Sequence, residues 1–142
     1  MSFSIEKVTG GSGLKDFLEL PYRLYADDPN WVPPVRFFNR HMFDRKKHPF
    51  HEHADVTLFL VRDTAGKPVG RICSIVNHAH NDFHHEKIGF FGFFEMENDP
   101  DIAILLLDAV EEDLRAKGMN SVRGPASFST NEESGLLVEG FD

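Results

Sequence analysis

The sequence holds a single cysteine, Cys73, a single tryptophan, Trp31, and no apolar run of the roughly 18 residues that a membrane-spanning helix requires. One thiol excludes an internal disulfide, and within a strand-like run it reads as a small buried residue in a reducing compartment. Met1 to Gly10 lack the apolar stretch of a signal peptide. These absences predict a soluble, cytoplasmic chain with no membrane partner. Cations are scarce too, 15 Lys and Arg against 23 Asp and Glu, for a net charge of -8. Eight of the acids lie between Glu95 and Asp113, where their field repels phosphates, so no nucleic-acid partner is expected. Arg36, Arg40, Arg45, Lys46 and Lys47 are the local exception and read as a solvated helix face. No Gly-x-Ser-x-Gly motif supports a serine hydrolase, and no internal repeat or low-complexity tract is present.

What is present fits one core: 142 residues with 41% hydrophobic content make residues 1–142 a single domain. Phe3, Ile5 and Val8 predict a first strand. A helix follows Ser12, with Leu14, Phe17, Leu18 and Tyr22 at helical spacing and a kink or restart expected at Pro21. Pro34 is placed at the first position of a second helix carrying Phe37, Phe38 and Phe43. Alternation over Val56–Val61 and Val69–Val76, around the turn Thr64-Ala65-Gly66-Lys67, predicts a hairpin. A polar loop from Asn77 to Glu86 leads to Lys87–Met96, a phenylalanine-rich strand buried on both faces. Asp99 as cap and Pro100 at the first position open the strongest helix, Pro100–Lys117, whose stripe is Ile102, Leu105, Leu106, Ala109, Val110 and Leu114. A short strand, Ser121–Arg123, ends at Gly124-Pro125. Ser127, Ser129, Thr130 and Asn131 then read as the cap region of a further helix. The class is α/β (α+β), with a mainly antiparallel mixed sheet flanked by helices.

The stretches Asp28-Pro-Asn-Trp-Val-Pro-Pro34, His48-Pro-Phe50, Val69-Gly-Arg-Ile72, Gly89-Phe-Phe-Gly-Phe-Phe-Glu95, Arg123-Gly-Pro125 and Gly135-Leu-Leu-Val-Glu-Gly-Phe141 resemble a bacterial protein family that carries a GNAT-like domain, of the acyl-CoA N-acyltransferase superfamily, and match its amino-terminal portion. The resemblance implies a GNAT-like fold lacking its final strands. The open sheet edge would then be met by self-association or by a missing carboxyl-terminal segment. It also implies transfer from acyl-CoA to an amine or other small-molecule acceptor. By that resemblance Glu95 is the candidate base, and Gly92, Asn98 and Arg123 are candidates for the cofactor. In GNAT enzymes a glycine-rich helix start holds the pyrophosphate, whereas Glu97-Asn98-Asp99-Pro100-Asp101 has no glycine and three acids. Weak or absent acetyl-CoA binding is therefore predicted, with Arg71 or Arg123 as alternative cations for the phosphates. The alternative function is a catalytically silent GNAT-like module that binds a protein partner or small ligand.

All eight histidines fall between His41 and His85, with His-x-His pairs at His51/His53 and His78/His80. A hairpin whose opposed residues sum to about 131 sets His53 against His78 and His51 against His80. These four are the candidates for a metal, although the pattern contains no cysteine and no metal is expected.

Overall fold

The computed structural model describes residues 2–141. In chain order, β1 (Ser4–Val8) and α1 (Gly11–Leu24) are followed by α2 (Arg36–Met42) and the hairpin β2 (Ala54–Arg62) and β3 (Pro68–Asn77). Then come α3 (His78–His84), β4 (Ile88–Met96), α4 (Pro100–Ala116), β5 (Ser121–Arg123) and a short hairpin of β6 (Ala126–Ser127) with β7 (Glu133–Ser134). Strands β1 to β5 form one sheet in sequence order, antiparallel except for the β4–β5 pair. The sheet is thus mixed, mainly antiparallel and flanked by helices, as the patterning requires.

Alternation along β2 and β3 sends side chains to two faces, and each face buries a separate core. Val56, Leu58, Leu60, Cys73 and Ile75 pack with Phe17, Phe43, Phe50, Phe90 and Phe128 under α1. Phe59, Val61, Ile72 and Val76 pack with Ile102, Leu106, Val110 and Leu114 of α4. That helix matches its sequence signals closely: the Asp99 carboxylate accepts the Asp101 N–H at 3.0 Å, and Pro100 occupies the first turn, where no donor is needed. The hairpin register also follows the expected sum, from Ala54 opposite Asn77 to Val61 opposite Gly70.

Several local expectations are corrected. Helix α1 runs through Pro21 without restarting. Proline has no N–H for the Phe17 carbonyl, and that oxygen is satisfied from outside the helix when Arg71 Nη1 donates to it at 2.8 Å. Helix α2 starts at Arg36, after an extended Val35, because the Pro34 carbonyl accepts the Tyr22 hydroxyl and stays outside the helical ladder. Residues 78–84 form α3 rather than a loop, since the Asn77 side chain accepts the His80 N–H as an N-cap. No helix follows the Ser127–Asn131 stretch; the Glu132 carboxylate gathers the N–H groups of Phe128 and Ser129, and the chain returns as β7. Strand β4 is buried on both faces only over Ile88–Phe90.

Candidate active site

The site originates in a change of register along β4. Cys73 pairs with Gly92 and Arg71 with Glu95, so the single residue Ile72 stands opposite two, Phe93 and Phe94. This is a β-bulge, and Phe93 takes a left-handed φ of 53° within it. One extra residue exchanges the two faces of the strand. Before the bulge Ile88 and Phe90 face α1, and beyond it Phe93 and Glu95 do so. Without the bulge Glu95 would point at α4.

On the α1 side, Glu95 meets the end of α1, where the Tyr25 hydroxyl donates to its Oε2. Burial, then the hydrogen bond to Glu95 and its charge, push the Tyr25 phenol far above its ordinary value, so it remains a protonated donor. Arg71 lies beside them, 6% exposed, with Nη1 on the Phe17 carbonyl and Nε on the Phe93 carbonyl at 3.2 Å. Its guanidinium also lies over the Phe17 ring, 4.9 Å from the centroid. Burial lowers its pKa from a very high starting value, and the charge of Glu95 is the largest opposing influence, so Arg71 remains a cation. The Ser127 Oγ accepts the Phe93 N–H at 3.0 Å, which leaves its own proton free to donate.

Two clefts meet at this group. A smaller one of about 410 Å³ opens between the end of β4 and the β6–β7 hairpin, walled by Phe94, Pro125, Leu136 and Leu137. A larger one of about 800 Å³ opens between α1 and α2, walled by Trp31, Val32, Pro33, Pro34, Met42 and His48. Arg71, Phe93, Glu95, Ser127 and Glu133 line both. The Trp31 ring is held against Tyr22 and Tyr25, at centroid distances of 5.5 and 5.4 Å. Burial, followed by the neighbouring His51, lowers the His48 pKa and favours a neutral imidazole at the wall of the larger cleft.

The other candidates from the sequence lie around this centre. Gly92 has Ala126 against it so closely that a Cβ would come within 2.0 Å of the Ala126 carbonyl oxygen, which is why β6 can lie alongside the bulge. Gly89 is likewise covered, by Leu114 of α4. Asn98 is exposed in the bend before α4, and Arg123 is exposed on β5. Arg71 is buried and bonded to two carbonyls, so it is placed for the junction and not for phosphates at a cleft mouth. At the start of α4 the Glu97 carboxylate is paired with Lys67 and Arg23, at 2.9 and 3.1 Å, which hold its pKa down. Asp99 remains folded onto the Asp101 N–H. Burial raises the Cys73 thiol far above its ordinary value, leaving it an inert core residue.

The histidine pairs do not converge. His53 and His78 are opposed as the register predicts, the His78 N–H donating to the His53 carbonyl at 2.9 Å. His51 lies in a 3-10 turn and His80 in α3, however, so neither pair has strand alternation. Their ring nitrogens turn elsewhere: His51 to the Met42 carbonyl, His78 to Asp55 and His80 to Glu86, at 2.8, 3.0 and 3.0 Å. Among the described residues no group of three or more His, Cys, Asp or Glu is placed to hold a metal ion. Among the described residues no helix is long and apolar enough to cross a membrane.

Tyr25, Trp31 and the placing of Arg71 were not read from the sequence as parts of a site. Arg71 did leave a signal, being the one charge in the apolar run Val69–Val76.

No protein-family model matches the chain. It is 39% identical over 140 residues to the bacterial ceramide synthase of Caulobacter vibrioides, covering 98% of this chain and 36% of that protein. Protein YghO of Escherichia coli is 38% identical over 129 residues, which cover 91% of this chain and 33% of the relative. The chain thus spans about a third of the length of these relatives. Among solved structures, glucosamine-6-phosphate N-acetyltransferase of Arabidopsis thaliana superposes with a TM-score of 0.59 at 14% identity, covering 100% of both chains. A predicted acetyltransferase of Clostridium acetobutylicum, with acetyl-CoA, superposes with a TM-score of 0.59 at 12% identity over 89% of this chain and 82% of the other. These superpositions agree with the sheet order: the chain has a GNAT-like fold, that of the acyl-CoA N-acyltransferases.

Proposed function

We propose that this domain transfers an acyl group from acyl-CoA to a primary amine, with the thioester in the smaller cleft, the amine in the larger, and Glu95 as the base between them. The observation that carries this reading is the meeting of two clefts at one hydrogen-bonded carboxylate. Two reactants held in adjoining clefts are brought together there, which is the main requirement of an acyl transfer between bound partners. Glu95 takes a proton from the amine as its nitrogen forms a bond to the thioester carbonyl carbon. The Ser127 hydroxyl donates to the carbonyl oxygen as charge develops on it, and the cation of Arg71 stabilises the same region. When the C–S bond breaks, the electron pair leaves with sulfur and the proton held by Glu95 restores the thiol. Tyr25 keeps the carboxylate aimed at the junction.

Acceptor class is proposed from the larger cleft and from the Caulobacter relative, which is named a ceramide synthase. Ceramide is the amide of a long-chain amino alcohol, and the wall of Trp31, Val32, Pro33, Pro34 and Met42 suits the apolar part of such an amine. Leu136 and Leu137 offer the same to a long acyl chain in the smaller cleft.

The start of α4 favours a second reading. Asp99 already occupies a first-turn donor, Pro100 removes another, and no glycine allows close approach, so the usual pyrophosphate seat of the fold is absent. A silent module that binds a ligand in these clefts is the corresponding alternative. Incubation with palmitoyl-CoA and sphinganine, followed by thiol release and mass spectrometry, separates the two. Stoichiometric thiol and N-palmitoyl product are expected. No thiol release above the uncatalysed rate with any long-chain amine would leave the silent module.

A further inference from the structure

We infer that the α2 face is a docking surface for an anionic lipid bilayer, and that the larger cleft opens onto that bilayer. Eight of the thirteen exposed large hydrophobic side chains among the described residues are confined to two short stretches, 32–38 and 136–141. Val32, Phe37 and Phe38 are 84%, 72% and 62% exposed. Such concentration is distinct from the scattered exposed leucines of an ordinary surface.

The two stretches are neighbours, since Asn30 Nδ2 donates to the Phe141 carbonyl at 2.9 Å. The first is held with its apolar side chains outward. Tyr22 holds the Pro34 carbonyl, Arg36 forms a two-pronged pair with Glu19 at 2.9 and 3.1 Å, and the Arg36 guanidinium lies 4.0 Å from the Tyr22 ring centroid. Val32, Pro33 and Pro34 belong at once to this surface and to the wall of the larger cleft.

Charge identifies the occupant. Arg40, Arg45, Lys46 and Lys47 follow the apolar stretch and are exposed, with Asp44 as the one acid between Val32 and Lys47. Asp101, Asp108, Glu111 and Glu112 lie on α4, across the sheet. The domain therefore presents cations beside the exposed phenylalanines and its acidic helix away from them, despite a net charge of -8. Glu139 is the one acid within residues 136–141, and Asp27 and Asp28 precede the first stretch, so the cations flank the apolar side chains on the α2 side, where they suit the interface of an anionic bilayer. A second copy of the same surface would bring like charges together. The expectation of no membrane partner rested on the lack of a spanning helix, and interfacial contact needs none.

The test needs no acyl donor, so it stands apart from the proposed reaction. Co-sedimentation is measured with phosphatidylcholine vesicles and with vesicles containing about 30% phosphatidylglycerol. Trp31, the single tryptophan and a wall residue beside the patch, supplies an emission signal. Binding to the anionic vesicles with a blue shift of Trp31 is expected. Phe37→Ser with Phe38→Ser, and separately Arg40→Glu with Lys46→Glu, are each expected to weaken it on the order of tenfold or more. These residues are exposed, so both variants are expected to keep the wild-type melting temperature. No sedimentation at low salt would overturn the proposal. So would phenylalanine variants that bind like the parent, or a wild-type dimer that the same variants dissociate.

Discussion

On the α4 face of the sheet, Ile72, Val76 and Val61 meet Ile102, Leu106, Val110 and Leu114, a mainly aliphatic layer closed by one long helix. On the α1 face, Phe17, Phe43, Phe50, Phe90 and Phe128 pack together, with Phe50 stacked on Phe128 at 4.8 Å, and the buried Arg71 bonds to the carbonyls of Phe17 and Phe93. The aliphatic face has a helix whose length and stripe match the strands beneath it. The aromatic face is covered by shorter pieces, α1, α2 and a 3-10 turn, which leave clefts between them. The difference is a division of labour within one sheet: regular packing on one side supplies stability, and irregular packing on the other leaves room for two reactants. The β4 bulge links the two, because it moves Glu95 to the irregular side.

The largest test of this contrast is Leu106→Asp. Leu106 is 0% exposed beneath α4, and an unpaired charge there costs about 5 kcal/mol or more, comparable with the whole stability of a small domain. Loss of the cooperative thermal transition is expected. Arg71→Leu, on the other face, leaves the Phe17 and Phe93 carbonyls without their donor and should cost about 2–4 kcal/mol in denaturant titrations. Its transition should remain cooperative.

Pro21→Ala sharpens the comparison further. Alanine restores an N–H for the Phe17 carbonyl and favours the helix, but that N–H competes with Arg71 for the same oxygen. An unchanged or higher melting temperature with turnover about tenfold lower is expected. Full turnover in the stabilised variant would separate the helix defect from the site. The smallest effect belongs to Asp113 on the α4 face. Burial raises its carboxyl, but the Ser74 hydroxyl and Lys117 ammonium bonds prevail and hold it below its ordinary value. A lowered folded value stabilises above the unfolded pKa and is lost as pH falls through the folded one. The stability gap between the parent and Asp113→Asn should therefore be constant at neutral pH and close below about pH 4.

The two faces also differ in how far they were legible. The α4 stripe, its Asp99 cap and the 131 register follow from periodicity and turn chemistry, which act over neighbouring residues. Glu95 and the acidic helix start were identifiable as single positions. The pairing of Glu95 with Tyr25 joins residues 70 apart, and that of Arg71 with Phe17 joins residues 54 apart, so no local pattern encodes either. Pro21 was visible as a helix defect, while the donor that compensates it was not, because Arg71 comes from β3, 54 residues away from Phe17. The histidine pairs misled for the reverse reason: their spacing implied strand alternation, but His78 and His80 are drawn into α3 by the Asn77 cap.

The central claim, that Glu95 is the base at the junction of two clefts, is tested most directly by the rate of amide formation from palmitoyl-CoA and sphinganine in Glu95→Gln. Glutamine preserves the size of the side chain and an acceptor for the Tyr25 hydroxyl, so the melting temperature should hold while the rate falls about 10²- to 10⁴-fold. A Glu95→Gln enzyme that forms the amide at the parent rate would contradict it.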